Sequence, residues 1–171
     1  ERTWTAEDNC GNTISCVQTI RVQDTTDPVI SCPADVTVEC SDDLSPTGTG
    51  AATGTDNCDT DVHISYNDHR VDGDCADNYT IERTWTAEDN CGNTTSCVQI
   101  VRVQDTTDPM ISCPADVTVE CSDDLTPGNT GEATGTDNCD NDVHISYSDH
   151  RIDGNCADNY TIERTWVAED N

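Results

Sequence analysis

The sequence predicts an all-β protein built from tandem, disulfide-stapled β-sandwich modules with an 81-residue period. Three observations support this fold class. The chain superimposes on itself when it is shifted by 81 positions. Apolar and polar residues alternate within short runs, and clusters of Gly, Pro, Asn and Asp separate those runs. Twelve cysteines occur in 171 residues at regularly repeated places, a pattern typical of a disulfide framework.

The repeat is nearly exact in sequence. Shifted by 81 positions, the six cysteines from Cys10 to Cys75 fall on the six from Cys91 to Cys156. When residues 1–81 are compared with 82–162, twelve of the 81 positions differ and 69 are identical. Near-identity over a whole module indicates recent duplication, and arrays of such modules are usually mechanical or adhesive rather than catalytic.

Within one period the pattern is β throughout. Four alternating runs are predicted to be strands: "ADVTVEC" (34–40), "DVHISY" (61–66), "YTIERTWTAED" (79–89) and "SCVQIVRVQ" (96–104). In the third run Arg83, Trp85 and Ala87 share one face, because side chains alternate along a strand. Short strands in units of ~80–100 residues predict antiparallel β-sandwiches of immunoglobulin type. Trp85, the one large residue of its module, is predicted to anchor the core.

Module boundaries follow from a repeated linker. "DTTDP" stands at 24–28 and again at 105–109, each time after a complete strand. Three residues, Val29–Ser31 and Met110–Ser112 respectively, separate it from the motif "CPADVTVEC". Proline restricts its own backbone and that of the residue before it, which suits a stiff linker. We therefore predict the C-terminal strands of a preceding module (1–23), one complete module (24–104) and a module lacking its last strand (105–171).

The composition excludes several classes of partner. The chain has 35 acidic residues against seven basic ones, and its formal net charge is -28. Such an acidic chain does not neutralise nucleic-acid phosphates, and an anionic membrane surface repels it. We expect no nucleic-acid partner and no direct membrane insertion. Cations, above all calcium, are the expected small partners.

The cysteines indicate an oxidising compartment. Low hydrophobicity and high charge would otherwise suggest disorder, but dense, evenly numbered cysteines favour disulfides of a secreted or cell-surface protein. Zinc sites are the alternative; they would favour CxxC pairs, and the sequence contains none. With no signal peptide, transmembrane run or initiator methionine visible, we expect the segment to be a piece of a longer polypeptide.

The motifs resemble a known family. A linker "DTTDPVISCP", a tryptophan strand leading to "AEDNCGN" and a closing "SCVQIVRV" are similar to the hyalin-repeat (HYR-like) modules of giant secreted and cell-surface repeat proteins. The likeness covers the full 81-residue period. It implies an immunoglobulin-like fold and a role in adhesion or extracellular structure, with no catalytic activity. Six cysteines per module depart from a simple hyalin repeat, so the family's disulfide pattern does not transfer.

Six cysteines allow fifteen connectivities, and sandwich topology narrows them. The first and last strands are expected to run in parallel, which places Cys32 near Cys97. Cys58 follows the second strand and Cys91 follows the tryptophan strand, so both are expected at the same pole of the sandwich. The preferred pairs are Cys32–Cys97, Cys40–Cys75, Cys58–Cys91 and, by the period, Cys121–Cys156, with Cys10, Cys16 and Cys113 pairing outside the chain. A competing local scheme joins Cys10 to Cys16 and Cys32 to Cys40. Each long-range bridge is expected to contribute roughly 3–4 kcal/mol.

Two kinds of site are predicted beside the disulfides. Calcium is expected at module junctions, where hard oxygen ligands come from the linker and two loops: Asp24, Asp27, Asp56, Asp59, Glu88 and Asp89. The alternative is a solvated acidic surface, because turns favour Asp in any case. N-linked glycans are expected at the sequons of Asn78, Asn93 and Asn159, and the repeated threonines could carry O-linked sugar.

The predicted function is that of an extracellular structural repeat protein, a segment of a fibril, filament or stalk whose stiff, acidic, glycosylated beads join head to tail. The alternative is a calcium-dependent cell-surface adhesin whose repeats only project a binding domain. Carbohydrate binding by the modules is a third hypothesis, weakened by scarce aromatic residues. No enzyme is expected, because the histidines (His63, His69, His144 and His150) stand beside predicted strands without a plausible nucleophile.

Overall fold

The computed structural model describes residues 1–170 of the chain. Within them the structure is almost entirely β. The strands are β1 (Arg2–Glu7), β2 (Thr13–Gln18), β3 (Val29–Ser31), β4 (Val36–Glu39), β5 (Thr53–Thr55), β6 (His63–Asp72), β7 (Tyr79–Glu88), β8 (Thr94–Gln104), β9 (Met110–Ser112), β10 (Thr134–Thr136), β11 (His144–Cys156) and β12 (Asn159–Glu169). Two helical turns, α1 (Pro46–Thr49) and α2 (Pro127–Thr130), interrupt them. None of the helices in this described part is long and apolar enough to cross a membrane. The all-β fold class is therefore confirmed.

The middle segment, 24–104, contains the best-developed sheet. Its order is β4-β8-β7-β6, and a smaller sheet pairs β3 with β5. The strands β6, β7 and β8 are antiparallel neighbours, whereas β4 runs parallel to β8 with Val36 opposite Val101. The parallel arrangement of the first and last long strands was predicted from the sequence, and it is confirmed.

The core of the middle segment lies on one face of β7 and β8. Ile81, Val101 and Val103 are buried, and half-buried apolar residues of β4 and the following loop pack against them. Along β7 every second residue from Ile81 to Ala87 is buried, as the period of a strand requires. Trp85 is 3% exposed and lies against Tyr66 at 5.1 Å between ring centroids. The predicted role of Trp85 as a core anchor is therefore confirmed.

The last segment, 105–170, repeats the strand pairing of the middle one. β11 pairs with β12, placing Ile145 opposite Ala168, as β6 and β7 place Ile64 opposite Ala87. The other edge of β12 carries no strand among the described residues. The run 117–120, "VTVE", is identical to β4 yet forms no strand, and Val117 and Val119 are exposed. Identical residues differ here because β4 has β8 beside it, and strand propensity alone does not replace a pairing partner.

The first segment, 1–23, is an exposed hairpin. β1 and β2 pair from Arg2–Gln18 to Glu7–Thr13, the register that β7 and β8 use one period later. Every residue of both strands is exposed, and Trp4 is 55% exposed where its counterpart Trp85 is buried. The tryptophan strand therefore acquires a core only where a complete set of strands surrounds it.

Candidate functional site: the junction between segments

A disulfide joins the middle segment to the last one. Cys40, directly after β4, is bonded to Cys139, in the loop after β10, with 5.8 Å between their Cα atoms; the two cysteines are 99 positions apart in sequence. The distance lies within the range of ordinary disulfides. We call the residues around this bond, Glu39 to Ser41, Asp105, Thr106, Asn138 and Cys139, the junction. The bond ties the end of one sheet to a loop of the next segment.

The predicted pair Cys40–Cys75 is therefore wrong. Topology had placed both cysteines at the same end of the middle segment, and the pairing assumed that bridges stay within one module. The last segment packs against that end and brings Cys139 to Cys40, leaving Cys75 as a half-buried thiol. The pair Cys32–Cys97 is present, with Cα atoms 6.1 Å apart, where the parallel strands predicted it.

The remaining predicted bridges are absent from residues 1–170. Cys58, Cys91, Cys121 and Cys156 are thiols, and so are Cys10 and Cys16 of the competing local scheme. Cys58 and Cys91 do share one pole, since the amide of Asn90 donates to Asp59 Oδ2 at 2.9 Å. The physical reason is again that the prediction assumed bridges within one module. Cys58 lies one period before Cys139, and Cys121 lies one period after Cys40. Both therefore correspond to cysteines whose bond crosses from one segment to the next.

Hydrogen bonds surround the bridge. The Thr106 amide donates to Glu39 Oε2 at 3.3 Å, and the Thr106 hydroxyl donates to Glu39 Oε1. Asn138 Nδ2 donates to Ser41 Oγ at 3.2 Å. Within the linker, the Thr107 amide donates to Asp105 Oδ1 at 3.1 Å, a local Asp turn that fixes the chain path. The linker is thus held by contacts on both sides of the covalent bond.

Three carboxylates converge beside the junction. One oxygen from each of Asp105, Asp137 and Asp170 lies within 4.8 Å of the others. Asp137 Oδ2 is buried and has no hydrogen-bond partner in the described residues. The backbone hydrogen bond from Thr107 lowers the pKa of Asp105, but burial and the charges of Asp137, Asp170 and Glu39 outweigh it and raise that pKa. The arrangement concentrates negative charge and offers the hard oxygen ligands that calcium prefers.

The predicted calcium ligands are only partly brought together. Asp24 and Asp56 meet beside Cys58, and Asp56 Oδ2 is again buried without a partner in the described chain. Asp27, Asp59, Glu88 and Asp89 do not belong to that group. Asp89 instead closes its own loop: hydrogen bonds from the Asn93 side chain and from the Asn93 and Cys91 amides lower its pKa. Asp105, Asp137 and Asp170 were missed, although adding 81 to Asp24, Asp56 and Asp89 would have found them.

The Cys58 thiol occupies the place that Cys139 holds at the junction. Burial, followed by the charges of Asp24 and Asp56 and a hydrogen bond to Asp24, raises its pKa. Because the thiolate is the reactive form in disulfide exchange, the raised pKa slows its spontaneous reaction.

The three predicted glycosylation sites differ in access. Asn159 is exposed, whereas Asn78 and Asn93 are half-buried. The side-chain nitrogen of each donates a hydrogen bond: Asn93 to Asp89 Oδ2 at 2.7 Å, Asn78 to Asp74 Oδ1 at 2.9 Å and Asn159 to Asn155 Oδ1 at 2.9 Å. An N-linked glycan is attached to this nitrogen, so the three sites differ in exposure alone, which favours Asn159.

A polar network around the buried side chains of Arg83 and Gln99 holds β7 and β8 in place. Arg83 is 2% exposed; its guanidinium donates to both Asp68 carboxylate oxygens, at 2.7 and 2.8 Å, to Thr49 Oγ1 at 2.8 Å and to Leu44 O at 2.8 Å. Gln99 Nε2 donates to Ala34 O and Thr49 O, and Trp85 Nε1 donates to Gln99 Oε1. The network ties β7 and β8 to β6, to α1 and to Ala34, which precedes β4. Sequence reasoning placed Arg83 on the buried face but missed its partner Asp68.

No family model matches the chain, and no curated protein matches it significantly. The hyalin-repeat resemblance therefore stays a prediction. The fold and the junction by themselves define the class of protein. It is an all-β, disulfide-bonded protein in which a disulfide links one β segment to the next. Disulfides of this kind are typical of proteins that fold in oxidising compartments.

Proposed function

We propose that the chain is an extracellular structural repeat protein, a segment of a fibril, filament or stalk. Its repeating unit is an 81-residue immunoglobulin-like β-sandwich, with boundaries at 24–104 and 105–171 and with 1–23 as the last strands of a preceding unit. The beads are acidic, glycosylated and joined head to tail. The observation that carries the proposal is the Cys40–Cys139 bridge across the junction.

The bridge supports a structural role through geometry. A flexible linker alone lets neighbouring domains rotate, and relative motion is the default for small interdomain interfaces. A second covalent connection beside the linker removes most of that freedom, and the Glu39–Thr106 contacts reduce it further. Stiffness along the array is the property that a fibril or stalk requires, and a catalyst does not need it at every repeat.

The proposal is tested on the extracellular material of the cells that make the protein. Antibodies raised against residues 24–104 are applied with gold label, and the preparation is viewed by electron microscopy. We expect label along the length of fibrils, at a regular axial spacing of one or two modules. Label confined to discrete soluble particles, or to a single point at a cell-surface tip, would contradict the structural role.

A calcium-dependent adhesin is the second candidate, favoured by the carboxylates beside the junction. Because the pKa of Asp105 is raised, folding stability from this group is present below its unfolded pKa of about 3.9. That stability is lost as the pH rises through the higher folded value. At neutral pH a bound cation would relieve the same repulsion.

For this candidate we expect millimolar calcium to raise the unfolding temperature of the chain more than magnesium does, since binding to the folded state stabilises it. The substitution Asp137→Asn should remove most of the difference, while Asp116→Asn, an exposed residue outside the cluster, should not. An unfolding temperature raised equally by calcium and magnesium, or raised by neither, would count against a calcium site.

A further inference from the structure

The disulfide at the junction lies beside two carboxylates. One ligand atom from each of four half-buried residues lies within 4.8 Å of the others: Glu39, Cys40, Asp105 and Cys139. The group therefore combines two sulfurs with two carboxylate oxygens. The neighbouring group of three carboxylates, by contrast, offers oxygen atoms alone.

The ligand types in this group are those that zinc takes. Structural zinc sites are tetrahedral, and their ligands are cysteine thiolates, histidine nitrogens and carboxylate oxygens, whereas calcium and magnesium prefer oxygen alone. Zinc–sulfur bonds of about 2.3 Å in that geometry place two sulfurs about 3.8 Å apart. Four ligand atoms that already lie within 4.8 Å of one another therefore converge on one ion with only small side-chain rotations.

The sequence alone does not reveal this group. Its members come from three places in the chain: the end of β4, the linker before β9 and the loop after β10. The absence of CxxC pairs argued against zinc, but that motif describes ligands that are close in sequence. Here the packing of one segment against the next brings the four side chains together.

Hydrogen bonds orient both carboxylates. The amide and the hydroxyl of Thr106 donate to the Glu39 carboxylate, and the Thr107 amide donates to Asp105 Oδ1 at 3.1 Å. Because a carboxylate has two oxygens with about four lone-pair sites, these hydrogen bonds leave both side chains able to bind a metal. Outer hydrogen bonds of this kind hold the ligands of protein metal sites in position.

An amide also faces both sulfurs. Asn138 Nδ2 donates to Cys139 Sγ at 3.0 Å and lies 3.9 Å from Cys40 Sγ. Such a donor stabilises a thiolate more than a neutral sulfur, because hydrogen bonds to charged groups are the stronger ones. One period earlier Asn57 donates to Cys58 Sγ in the same way, but the group there contains a single sulfur. Among the described residues, two sulfurs join carboxylates in this way at the junction.

We propose that the junction becomes a zinc site when its disulfide is reduced, with Cys40, Cys139, Glu39 and Asp105 as the ligands of one Zn²⁺. The ion then replaces the covalent bond, so the middle and last segments stay joined under oxidising and under reducing conditions. The inference goes beyond the structural function and does not depend on fibril formation.

Reduction needs a thiol reductant, and a dithiol such as dithiothreitol supplies it. One thiolate of the dithiol attacks a sulfur of the bridge, forms a mixed disulfide and releases one cysteine. The second thiolate then closes the reductant's own disulfide and releases the other cysteine. Two electrons and two protons pass from the reductant to the bridge. Zn²⁺ binding then displaces both thiol protons to solvent, because the thiolate is the ligand.

The first test isolates the junction thiols chemically. Eight cysteines of the described chain are thiols, and iodoacetamide blocks the accessible ones while both disulfides are intact. Dithiothreitol then reduces the bridges and is removed by gel filtration without oxygen. Zinc affinity is measured by competition with a chromophoric chelator. We expect the reduced chain to bind one Zn²⁺, and the same blocked chain left oxidised to bind it far more weakly.

Two cysteine variants form a matched pair in this test. In Cys40→Ser the unpaired Cys139 is blocked with the other thiols, so reduction releases only the thiols of Cys32 and Cys97. In Cys32→Ser reduction releases only the junction thiols. We expect Cys32→Ser to keep the zinc site and Cys40→Ser to lose it. Cys75 is half-buried, but it is present in both variants and does not affect the comparison. Zinc binding of equal strength by both variants, or no zinc binding by the unaltered reduced chain, would overturn the proposal.

The second test keeps all the cysteines and changes one carboxylate. We expect Glu39→Gln to lower the zinc affinity at least about tenfold, since replacement of even an outer hydrogen-bond partner of a metal ligand costs about that much. Glu120→Gln, the same substitution at an exposed residue one period later and outside the group, should leave the affinity unchanged. An affinity unaffected by Glu39→Gln would overturn the proposal, because the cysteines alone would then account for the binding. Failure of either test leaves the fibril labelling, and with it the structural function, unaffected.

Discussion

Replacement of Cys40 or Cys139 by serine is expected to produce the largest loss of stability in the chain. The bridge closes a loop of 99 residues, for which the chain-entropy model gives about 4.7 kcal/mol. We expect either variant to unfold at lower urea concentration, and the middle and last segments to unfold in separate steps. Hydrogen exchange followed by mass spectrometry, as a function of urea, distinguishes the two segments.

Cys75→Ser is the matched control for this substitution. Cys75 lies at the same end of the middle segment but is a thiol, so its replacement should change the free energy of unfolding by only about 0.5 kcal/mol. Cys75→Ser and Cys40→Ser variants of equal stability would show that Cys40 carries no bridge in solution.

The second large effect is expected at the ion pair between the buried Arg83 and the partly exposed Asp68. Asp68→Asn keeps the shape of the side chain but leaves the Arg83 charge buried without its counter-charge. Loss of one partner of a fully buried ion pair costs about 3–5 kcal/mol, and because Asp68 is 35% exposed we expect a loss at or below the lower end of that range, about 2–3 kcal/mol. The measurement is the free energy of opening of β7 and β8 from native-state hydrogen exchange of the full chain.

The same substitution one period later provides a control within the molecule. Asp149 pairs with Arg164 in the same geometry, but Arg164 is 14% exposed, so Asp149→Asn should cost less. The Arg164 hydrogen bond is the largest cause that lowers the pKa of Asp149. Stability from that carboxylate is therefore present above its unfolded pKa of about 3.9 and lost as the pH falls through the lower folded value.

A double-mutant cycle separates the ion pair from simple packing. Asp68→Asn, Arg83→Met and the double variant are compared, and we expect the double variant to be much less destabilised than the sum of the two single variants. Additive losses would indicate that the two side chains stabilise the core independently, in contradiction to a coupled polar network.

The strand faces could be predicted from the sequence, and the covalent connectivity could not. Alternation along "YTIERTWTAED" placed Trp85 and Arg83 on the buried face, because the side-chain period of a strand is two. The parallel β4–β8 pair likewise led to Cys32–Cys97. The predicted partner of Cys40 was wrong because the true partner, Cys139, depends on how one segment packs against the next. Periodicity within a segment carries no information about that packing.

The 81-residue period relates the calcium ligands predicted in the middle segment to carboxylates of the last segment, and the prediction named only the first set. Residues 117–120 and β4 are identical in sequence and different in structure, which shows how strongly each strand depends on its neighbour. In the same way, the carboxylate ligands expected at Asp24 and Asp56 have counterparts at Asp105 and Asp137, where the junction is complete. A prediction from one period therefore described the strands within a segment and missed the contact between segments.

The central claim is that a covalent bond spans the junction, and stretching a single oxidised chain from its two ends tests it directly. With Cys40 bonded to Cys139, 99 residues are excluded from the extended path, so reduction should lengthen the fully stretched chain by about 340 Å at 3.3–3.6 Å per residue. A lengthening of only about 220 Å, the value for the 65-residue Cys32–Cys97 loop alone, would show that no bond crosses the junction.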